Sequence, residues 1–307
     1  MSVAVQELAH AAEFVAALRP HDVRWLPSPS RWIFRGQWNS QFELAPTAFR
    51  RESWEPFAQP GEVPFDPNSC TSGGVQAVQE YRVLRQYFER LDQVGLDVPN
   101  EIFVRHFLDH VESILASGGL HDHLEFLTDP AIATFAALAQ HHGVPTRLLD
   151  WTRAGLHAAY FAAQEASSRA SGAGKISVWA LSLDFVEDTQ GVADMGSGTP
   201  HLQVVTAARA SNPNLHAQAG LFTAWFEVNG VFPLESKIPI LVDALPPRRR
   251  INWANKSPLH HFTLPHSETP LLLRMLSYEN IDGSHMFPGR DGVVRAMKER
   301  HFWDRKD

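Results

Sequence analysis

Apolar residues recur at three- and four-residue intervals in several stretches of the chain, a spacing that predicts amphipathic helices. The clearest stretch is "VQAVQEYRVLRQYFERL", residues 75–91. A second helix is predicted at 130–141, because Asp129 is a suitable N-cap, Pro130 suits the first turn and Gly143 follows the end. Further helices are predicted at 1–19, 100–116, 154–168, 267–283 and 286–302.

Strands are predicted where apolar and polar residues alternate or where β-branched and aromatic residues cluster. The first is "RWIFRGQ" (31–37), in which Trp, Ile and Phe suit a pleated sheet and Gly36 ends the strand. The others lie at 175–183, 220–228 and 262–265, with a loop from 184 to 199.

The order of these elements predicts one α+β domain over residues 1–307, because helices separate the first strand from the later ones. We expect a mostly helical N-terminal region around a central mixed or antiparallel sheet. The core of this domain covers about residues 25–295, and the helix at 1–19 is an appendage.

Composition narrows the classes of function. The 307 residues are 44% hydrophobic and 20% charged, as in globular proteins, and the net charge of −7 argues against a broadly basic surface for nucleic acid. Cys70 is the single cysteine, which excludes an internal disulfide. Glu7 and Glu13 interrupt the apolar N-terminal segment, so we expect neither a signal peptide nor a membrane span. We therefore expect a cytoplasmic protein with no membrane partner.

The stretch "ALAQHHGVPTRLLDWT" (137–152) places many polar groups directly after an apolar helix. Such groups are costly to bury, so they form either a structural polar cluster or part of a site. Arg35, between an apolar strand and Gly36, raises the same question. Its guanidinium group either holds an anionic ligand or forms an internal ion pair, for instance with Asp150.

Two further features bear on chemistry. His141 and His142 lie in the last turn of a helix, where the helix dipole alone favours histidine. Neighbouring residues on a helix point roughly 100° apart, so the pair is poorly arranged for one metal ion, and we expect no metal.

Gln218 precedes the strand at 220–228, in which Phe222 and Glu227 fall on opposite faces. A pocket on the Phe222 face would therefore need an acid other than Glu227.

The segments "WIFRGQ", "ALAQHHGVPTRLLDWT" and "AAYFAA" resemble the FRG domain family of bacteria and phages, whose Phe-Arg-Gly triplet corresponds to Phe34, Arg35 and Gly36. The later segments "HAQAGLFTAW" and "IDGSHMFPGRDGV" resemble its later blocks. A polar stretch that defines a family is expected to form a shared site. On this basis the expected ligand-binding residues are Phe34, Gly36, Gln37, His141, Thr146, Arg147, Asp150, Trp151, Thr152 and Tyr160, and the expected catalytic residues are Arg35, His142, Gln218 and Glu227.

A weaker similarity to ADP-ribosyltransferases implies a fold and a mechanism. Those enzymes bind NAD between a strand that ends in Arg-Gly, a piece leading into a helix and a strand-edge acid. On this similarity Arg35 holds the pyrophosphate, and Trp151 or Tyr160 stacks on a ring. Gln218 stands where the acid is expected, which leaves Glu227 or Glu268 as substitutes.

Three hypotheses on function follow. The first is an NAD-consuming ADP-ribosyltransferase or toxin, in antiphage defence or a toxin–antitoxin pair, which needs no cofactor because NAD is the substrate. Its partners would be a nucleotide-type small molecule and a protein target or cognate inhibitor. The second is a metal-independent nuclease-type effector with His141, His142 or His157 as general base, and with Arg35 and Arg147 on the phosphate. The third is a nucleotide- or protein-binding module without chemistry. All three predict that Arg35, Arg147 and Asp150 share one pocket, and the first also predicts that Gln218 faces it.

Overall fold

A computed structural model describes residues 3–26, 28–58, 62–69, 73–117, 129–169, 174–193, 201–206, 217–226 and 257–303. Cys70 and Glu227 lie outside these ranges. The described residues form an α+β structure around one mixed sheet, as the sequence predicts. Within the described ranges, no helix is long and apolar enough to cross a membrane.

Seven strands form this sheet in the order β1-β7-β4-β2-β3-β6-β5. Only β1 and β7 are parallel among these neighbours, and the other pairs are antiparallel. The strands are β1 (Ala4–Glu7), β2 (Trp32–Gln37), β3 (Leu149–Thr152), β4 (Lys175–Ser182), β5 (His201–Val205), β6 (Gly220–Phe226) and β7 (Leu259–Pro265).

The helices agree with most of the predicted positions. They are α1 (Ala11–Leu18), α2 (Gly73–Gln93), α3 (Glu101–Ala116), α4 (Pro130–His141), α5 (Gly155–Ser168), α6 (Leu183–Ala193), α7 (Thr269–Ser277), α8 (Gly283–Met286) and α9 (Arg290–Trp303). The predicted cap of α4 is confirmed, since the Asp129 side chain accepts a hydrogen bond from the backbone N–H of Ala131 at 2.8 Å.

The prediction of one helix at 1–19 is wrong. Residues Ala4–Glu7 instead form the edge strand β1, which pairs with residues 260–263 of β7, and helix α1 begins only at Ala11. The predicted loop after β4 is also wrong, because α6 follows that strand directly. In both places the local pattern is weak, and contacts with distant segments decide the structure.

The end of the polar stretch that follows α4 forms strand β3, Leu149–Thr152. Helix α5 begins at Gly155, and within the described part of the chain no side chain caps it. The Thr152 hydroxyl nevertheless accepts a hydrogen bond from the Ala154 N–H at 3.1 Å, so it orders the turn between strand and helix. This strand–turn–helix unit carries part of the site described below.

Helix α5 packs on the face of β2 that carries Phe34 and Gly36. A Cβ atom at Gly36 would lie 1.9 Å from the backbone oxygen of Ala158 on that helix, a separation that no side chain can occupy. Gly36 is therefore required for helix–sheet packing, and it also lines the cavity described below, where ligand binding is expected of it. The opposite face of β2 carries Ile33, which packs with Trp179 and Leu181.

Candidate functional site

A cavity of about 470 Å³ lies where β2, β3 and β6 meet helices α4 and α5. Its walls are mainly apolar and aromatic, and include Phe34, Trp151, Phe161, Leu221 and Phe222. The polar side chains that reach it include those of Arg35, Gln140, His141, Asp150, Thr152 and Gln218. Few polar groups in an apolar cavity of this size are typical of a small-molecule site.

Arg35 and Asp150 form an ion pair at this cavity. The ladder between β2 and β3 has a single registered pair, Phe34 with Thr152, and Arg35 reaches from β2 to Asp150 on β3. Its Nη1 contacts Asp150 Oδ1 and also donates to the Asp150 backbone oxygen at 2.8 Å. The internal ion pair considered in the sequence analysis is thus present, and it lies in the wall of a cavity.

The two partners differ in their access to the cavity. The Arg35 side chain is 13% exposed, whereas that of Asp150 is 61% exposed. Surrounding protein by itself would raise the pKa of Asp150, but the charge and hydrogen bond of Arg35 outweigh it and hold the pKa below its ordinary value. The cavity therefore contains an ionised carboxylate. Arg35 Nε is buried and has no hydrogen-bond partner among the residues that the structure describes.

Arg50 is a second cation in this region that the sequence analysis did not identify. Its Nε and Nη2 both donate to the backbone oxygen of Ala45, at 3.0 and 2.6 Å. Burial lowers the pKa of Arg50, and the like charge of Arg35 lowers it further. In the sequence Arg50 is followed by Arg51, a pair typical of an exposed surface, so only the fold reveals its position.

Gln218 lines the same cavity as Arg35, as the ADP-ribosyltransferase similarity predicts. Its backbone oxygen accepts from the Thr152 hydroxyl at 2.7 Å and lies 3.4 Å from His157 Nδ1. Its side-chain Nε2 donates to the Met286 backbone oxygen at 3.2 Å. Three separate segments therefore hold Gln218 at the cavity.

The register of β6 identifies the strand face that meets the cavity. Asp150 pairs with Phe222, so their side chains share one face of the sheet, and both line the cavity. Thr223, on the other face, accepts a hydrogen bond from Trp151 Nε1 at 2.8 Å. On the sequence argument this arrangement calls for an acid other than Glu227, which lies outside the described residues.

Glu268, the other acid considered, is not among the residues that line the cavity. Its Oε2 accepts a hydrogen bond from the backbone N–H of Ala11 at 2.8 Å, at the start of α1. The described carboxylates of the cavity are instead Asp150 and Asp97, of which Asp97 is an exposed residue in the α2–α3 connection.

The two adjacent histidines differ in their relation to the cavity, although their rings lie only 5.2 Å apart. Both are exposed, but His141 lines the cavity, whereas His142 lies next to Tyr87 and does not line it. Burial, and then the neighbouring His142, lower the pKa of His141, so that its ring is neutral at pH 7. Burial also lowers the pKa of His157. Among the described residues, no group of three or more His, Cys, Asp or Glu side chains is arranged to hold a metal ion.

Arg147 does not share the cavity, and that part of the shared-pocket prediction is wrong. Its Nε and Nη2 contact Glu80 Oε2 and Oε1 on α2, at 2.8 and 2.9 Å. Both side chains are almost completely buried. The carboxylate that balances the charge of this arginine belongs to a helix nearly seventy positions away, so no local pattern indicates the pairing.

Three other expected ligand-binding residues also lie outside the cavity lining. Gln37 accepts a hydrogen bond from Trp179 Nε1 at 2.9 Å. Thr146 is buried, and its backbone N–H donates to the Thr47 hydroxyl at 3.1 Å. The Tyr160 hydroxyl donates to buried Glu299 at 2.6 Å. These residues support the framework around the cavity.

Comparisons with known proteins identify part of the chain. No curated protein and no solved structure matches it. The likeness to ADP-ribosyltransferases therefore stays a prediction. A family model described as "FRG domain" matches residues 30–171, which include Arg35, Asp150 and Thr152 but not Gln218. The matched range is shorter than the 25–295 expected from the sequence. Residues 30–171 of the chain are thus an FRG domain.

Proposed function

We propose that the chain binds NAD in this cavity and breaks the bond between nicotinamide and ribose, as an ADP-ribosyltransferase or an NAD-consuming toxin. The main support for this proposal is that Arg35, Asp150 and Gln218 line the same, mainly apolar cavity of about 470 Å³. Convergent polar groups in an apolar cavity of several hundred Å³ are typical of nucleotide-sized ligands.

The charges near the cavity favour a ligand with phosphate groups. Arg35 and Arg50 are close enough for their charges to interact, and both interact with the carboxylate of Asp150. Two guanidinium groups near one carboxylate leave positive charge that an anionic group can balance. The pyrophosphate of NAD provides such a group.

The aromatic walls supply surfaces for the rings of the ligand. Phe222 lies on the face of β6 that meets the cavity, and Phe161 extends from α5 into the cavity lining. Rings held in this way offer stacking surfaces without loss of side-chain freedom on binding. We assign the stacking role to Phe161 and Phe222. The Trp151 ring is bonded to Thr223 on the opposite face of the sheet, and the Tyr160 hydroxyl is bonded to Glu299 and its ring does not line the cavity.

The proposed reaction requires stabilisation of positive charge on the ribose. The bond from ribose C1′ to the nicotinamide nitrogen breaks with both electrons passing to nicotinamide, which leaves as a neutral molecule. Water or a nucleophile of a target protein then bonds to C1′ and releases one proton. A preorganised carboxylate and amide beside the ribose favour the cationic transition state, and Asp150 and Gln218 are the groups available.

The biological setting follows from the family resemblance. We propose that the protein acts as an effector in antiphage defence or as the toxin of a toxin–antitoxin pair. In either setting its partners are the nucleotide, a protein target and a cognate inhibitor.

The proposal is tested by incubating purified protein with NAD and measuring free nicotinamide and ADP-ribose by chromatography. We expect nicotinamide release by the native chain and a loss of at least about tenfold in Gln218→Ala, from removal of a ribose contact. Gln93→Ala is the matched control, because Gln93 is an exposed amide at the end of α2 and does not line the cavity. Intact NAD after long incubation with folded protein would refute the proposal.

One observation favours nuclease-type activity as a second candidate. His141 lines the cavity and its pKa is lowered, which suits a general base at neutral pH. The burial of Arg147 with Glu80 weakens this candidate, because it removes one of the two arginines expected to hold the phosphate. Incubation with RNA in place of NAD distinguishes the two, and nucleotide binding without any product would indicate a non-catalytic module.

A further inference from the structure

Resting on the proposed function, we infer that Asp150 is the carboxylate that contacts the nicotinamide-side ribose and that Arg35 acts as its positioning residue. The role expected for Arg35 from the sequence, direct contact with the pyrophosphate, is thereby replaced. This inference rests on the ion pair between Arg35 and Asp150, in which the carboxylate is the more exposed partner and both residues line the cavity.

The contacts of Asp150 leave one carboxylate oxygen available. Arg35 Nη1 contacts Oδ1, and Gln140 Nε2 lies 3.5 Å from the same oxygen. Within the described ranges, no other residue donates a hydrogen bond to Oδ2. Because the side chain is 61% exposed and lines the cavity, a bound ligand can donate to Oδ2 without displacing Arg35.

The contacts of Arg35 hold the Asp150 carboxylate in position. Its Nη1 contacts both the side chain and the backbone oxygen of Asp150, so one guanidinium nitrogen fixes the carboxylate relative to its own strand. The side chain is only 13% exposed, and its Nε is buried. A ligand in the cavity therefore meets the carboxylate more readily than the guanidinium group.

The chemistry of an ionised carboxylate selects the ligand group. It accepts hydrogen bonds and repels phosphate, so its partner is a donor such as a ribose hydroxyl. Gln140, which bonds the Thr146 hydroxyl through its own oxygen, supports Oδ1 from the α4 side. With Oδ1 held from two sides, the direction of Oδ2 is set before the ligand binds.

The ribose contact is tested by calorimetric titration with ADP-ribose and with ADP, which lacks the distal ribose. We expect the native chain to bind ADP-ribose about tenfold more tightly than ADP, and Asp150→Asn to bind both equally. The matched control is Asp184→Asn. Asp184 also pairs with an arginine, Arg31, at 2.6 Å, and its side chain is 60% exposed, but it does not line the cavity.

The positioning role of Arg35 is tested by the pH dependence of ADP-ribose binding. Loss of Arg35 removes the charge that lowers the pKa of Asp150. In Arg35→Met, binding should therefore weaken at a higher pH than in the native chain and recover as the pH rises. A purely structural role would lower affinity equally at every pH. Arg35→Lys, which keeps the charge, should restore most of the native profile.

The outcomes separate this inference from the proposed function. An unchanged preference for ADP-ribose in Asp150→Asn would overturn the inference, while nicotinamide release by the native chain would still support the proposed function. The predicted preference without any nicotinamide release would support the ribose contact and overturn the reaction. If folded native protein binds neither ADP-ribose nor ADP, both are overturned.

Discussion

Arg147 and Glu80 form a two-point ion pair that is almost completely shielded from water, with the side chains 3% and 1% exposed. Arg35 and Asp150 also form an arginine–carboxylate pair, but the Asp150 carboxylate is exposed and lines a cavity. An arginine–carboxylate pair thus serves structure in one place and a candidate site in the other.

Arg147→Met should destabilise the fold by about 3–5 kcal/mol, because it leaves the buried carboxylate of Glu80 without its partner. The measurement is the free energy of unfolding in urea. Arg35→Met is the comparison, and its effect on stability should be clearly smaller because Asp150 remains accessible to water. Equal losses in the two variants would show that Arg35 is also mainly structural.

Gly36→Ala should destabilise the fold by about 1–3 kcal/mol or more, because a Cβ atom would overlap the Ala158 backbone oxygen on α5. The control is Gly95→Ala. Gly95 has a φ of +68° and no atom within 4 Å of a new Cβ, so that variant incurs only backbone strain of about 1–2 kcal/mol. A thermal unfolding series measures both. A fully stable Gly36→Ala protein that fails to bind nucleotide would instead assign Gly36 to the ligand.

Tyr160→Phe should cost about 1–3 kcal/mol of stability, because buried Glu299 loses the hydrogen bond of the tyrosine hydroxyl. Nucleotide affinity should stay within about twofold, since Tyr160 does not line the cavity. The neighbouring substitution Phe161→Leu should show the reverse pattern, with weaker nucleotide binding and a small change in stability. Urea unfolding and calorimetric titration of both variants distinguish these roles, and weaker binding by Tyr160→Phe at native stability would contradict them.

Glu299 should make stability depend on pH. Burial raises the pKa of Glu299, although the hydrogen bond from Tyr160 partly opposes the rise. A carboxyl group with a raised pKa in the folded state stabilises the fold at low pH, and this contribution is lost as the pH rises from the ordinary value of 4.5 through the raised pKa. Glu299→Gln should abolish that component of the pH profile. An unchanged profile in this variant would contradict the assignment.

The parts of the fold predicted from sequence are those with a strong local pattern. Helix α2 repeats its apolar residues over five turns, and strand β2 concentrates aromatic and branched residues before a glycine. Strand β3 has only four residues, one of them Asp150, and is stabilised by pairing with β6. Such a strand cannot be recognised before its partner is known.

The candidate site was predictable only in part for a related reason. The sequence indicated that Arg35, Asp150 and Gln218 require a common explanation, and all three line one cavity. It could not separate Arg35 from Arg147, because each arginine lies in an apolar segment and their partners come from distant elements. Arg50 was missed because nothing in its local sequence distinguishes it from an exposed arginine.

The most direct test of the account is nicotinamide release from NAD by the native chain, by Asp150→Asn and by Asp184→Asn, measured side by side on folded protein. The account predicts release by the native chain and by Asp184→Asn, and a rate at least about tenfold lower in Asp150→Asn, which lacks the carboxylate beside the ribose. No release by the native chain, or equal release by all three proteins, would contradict it.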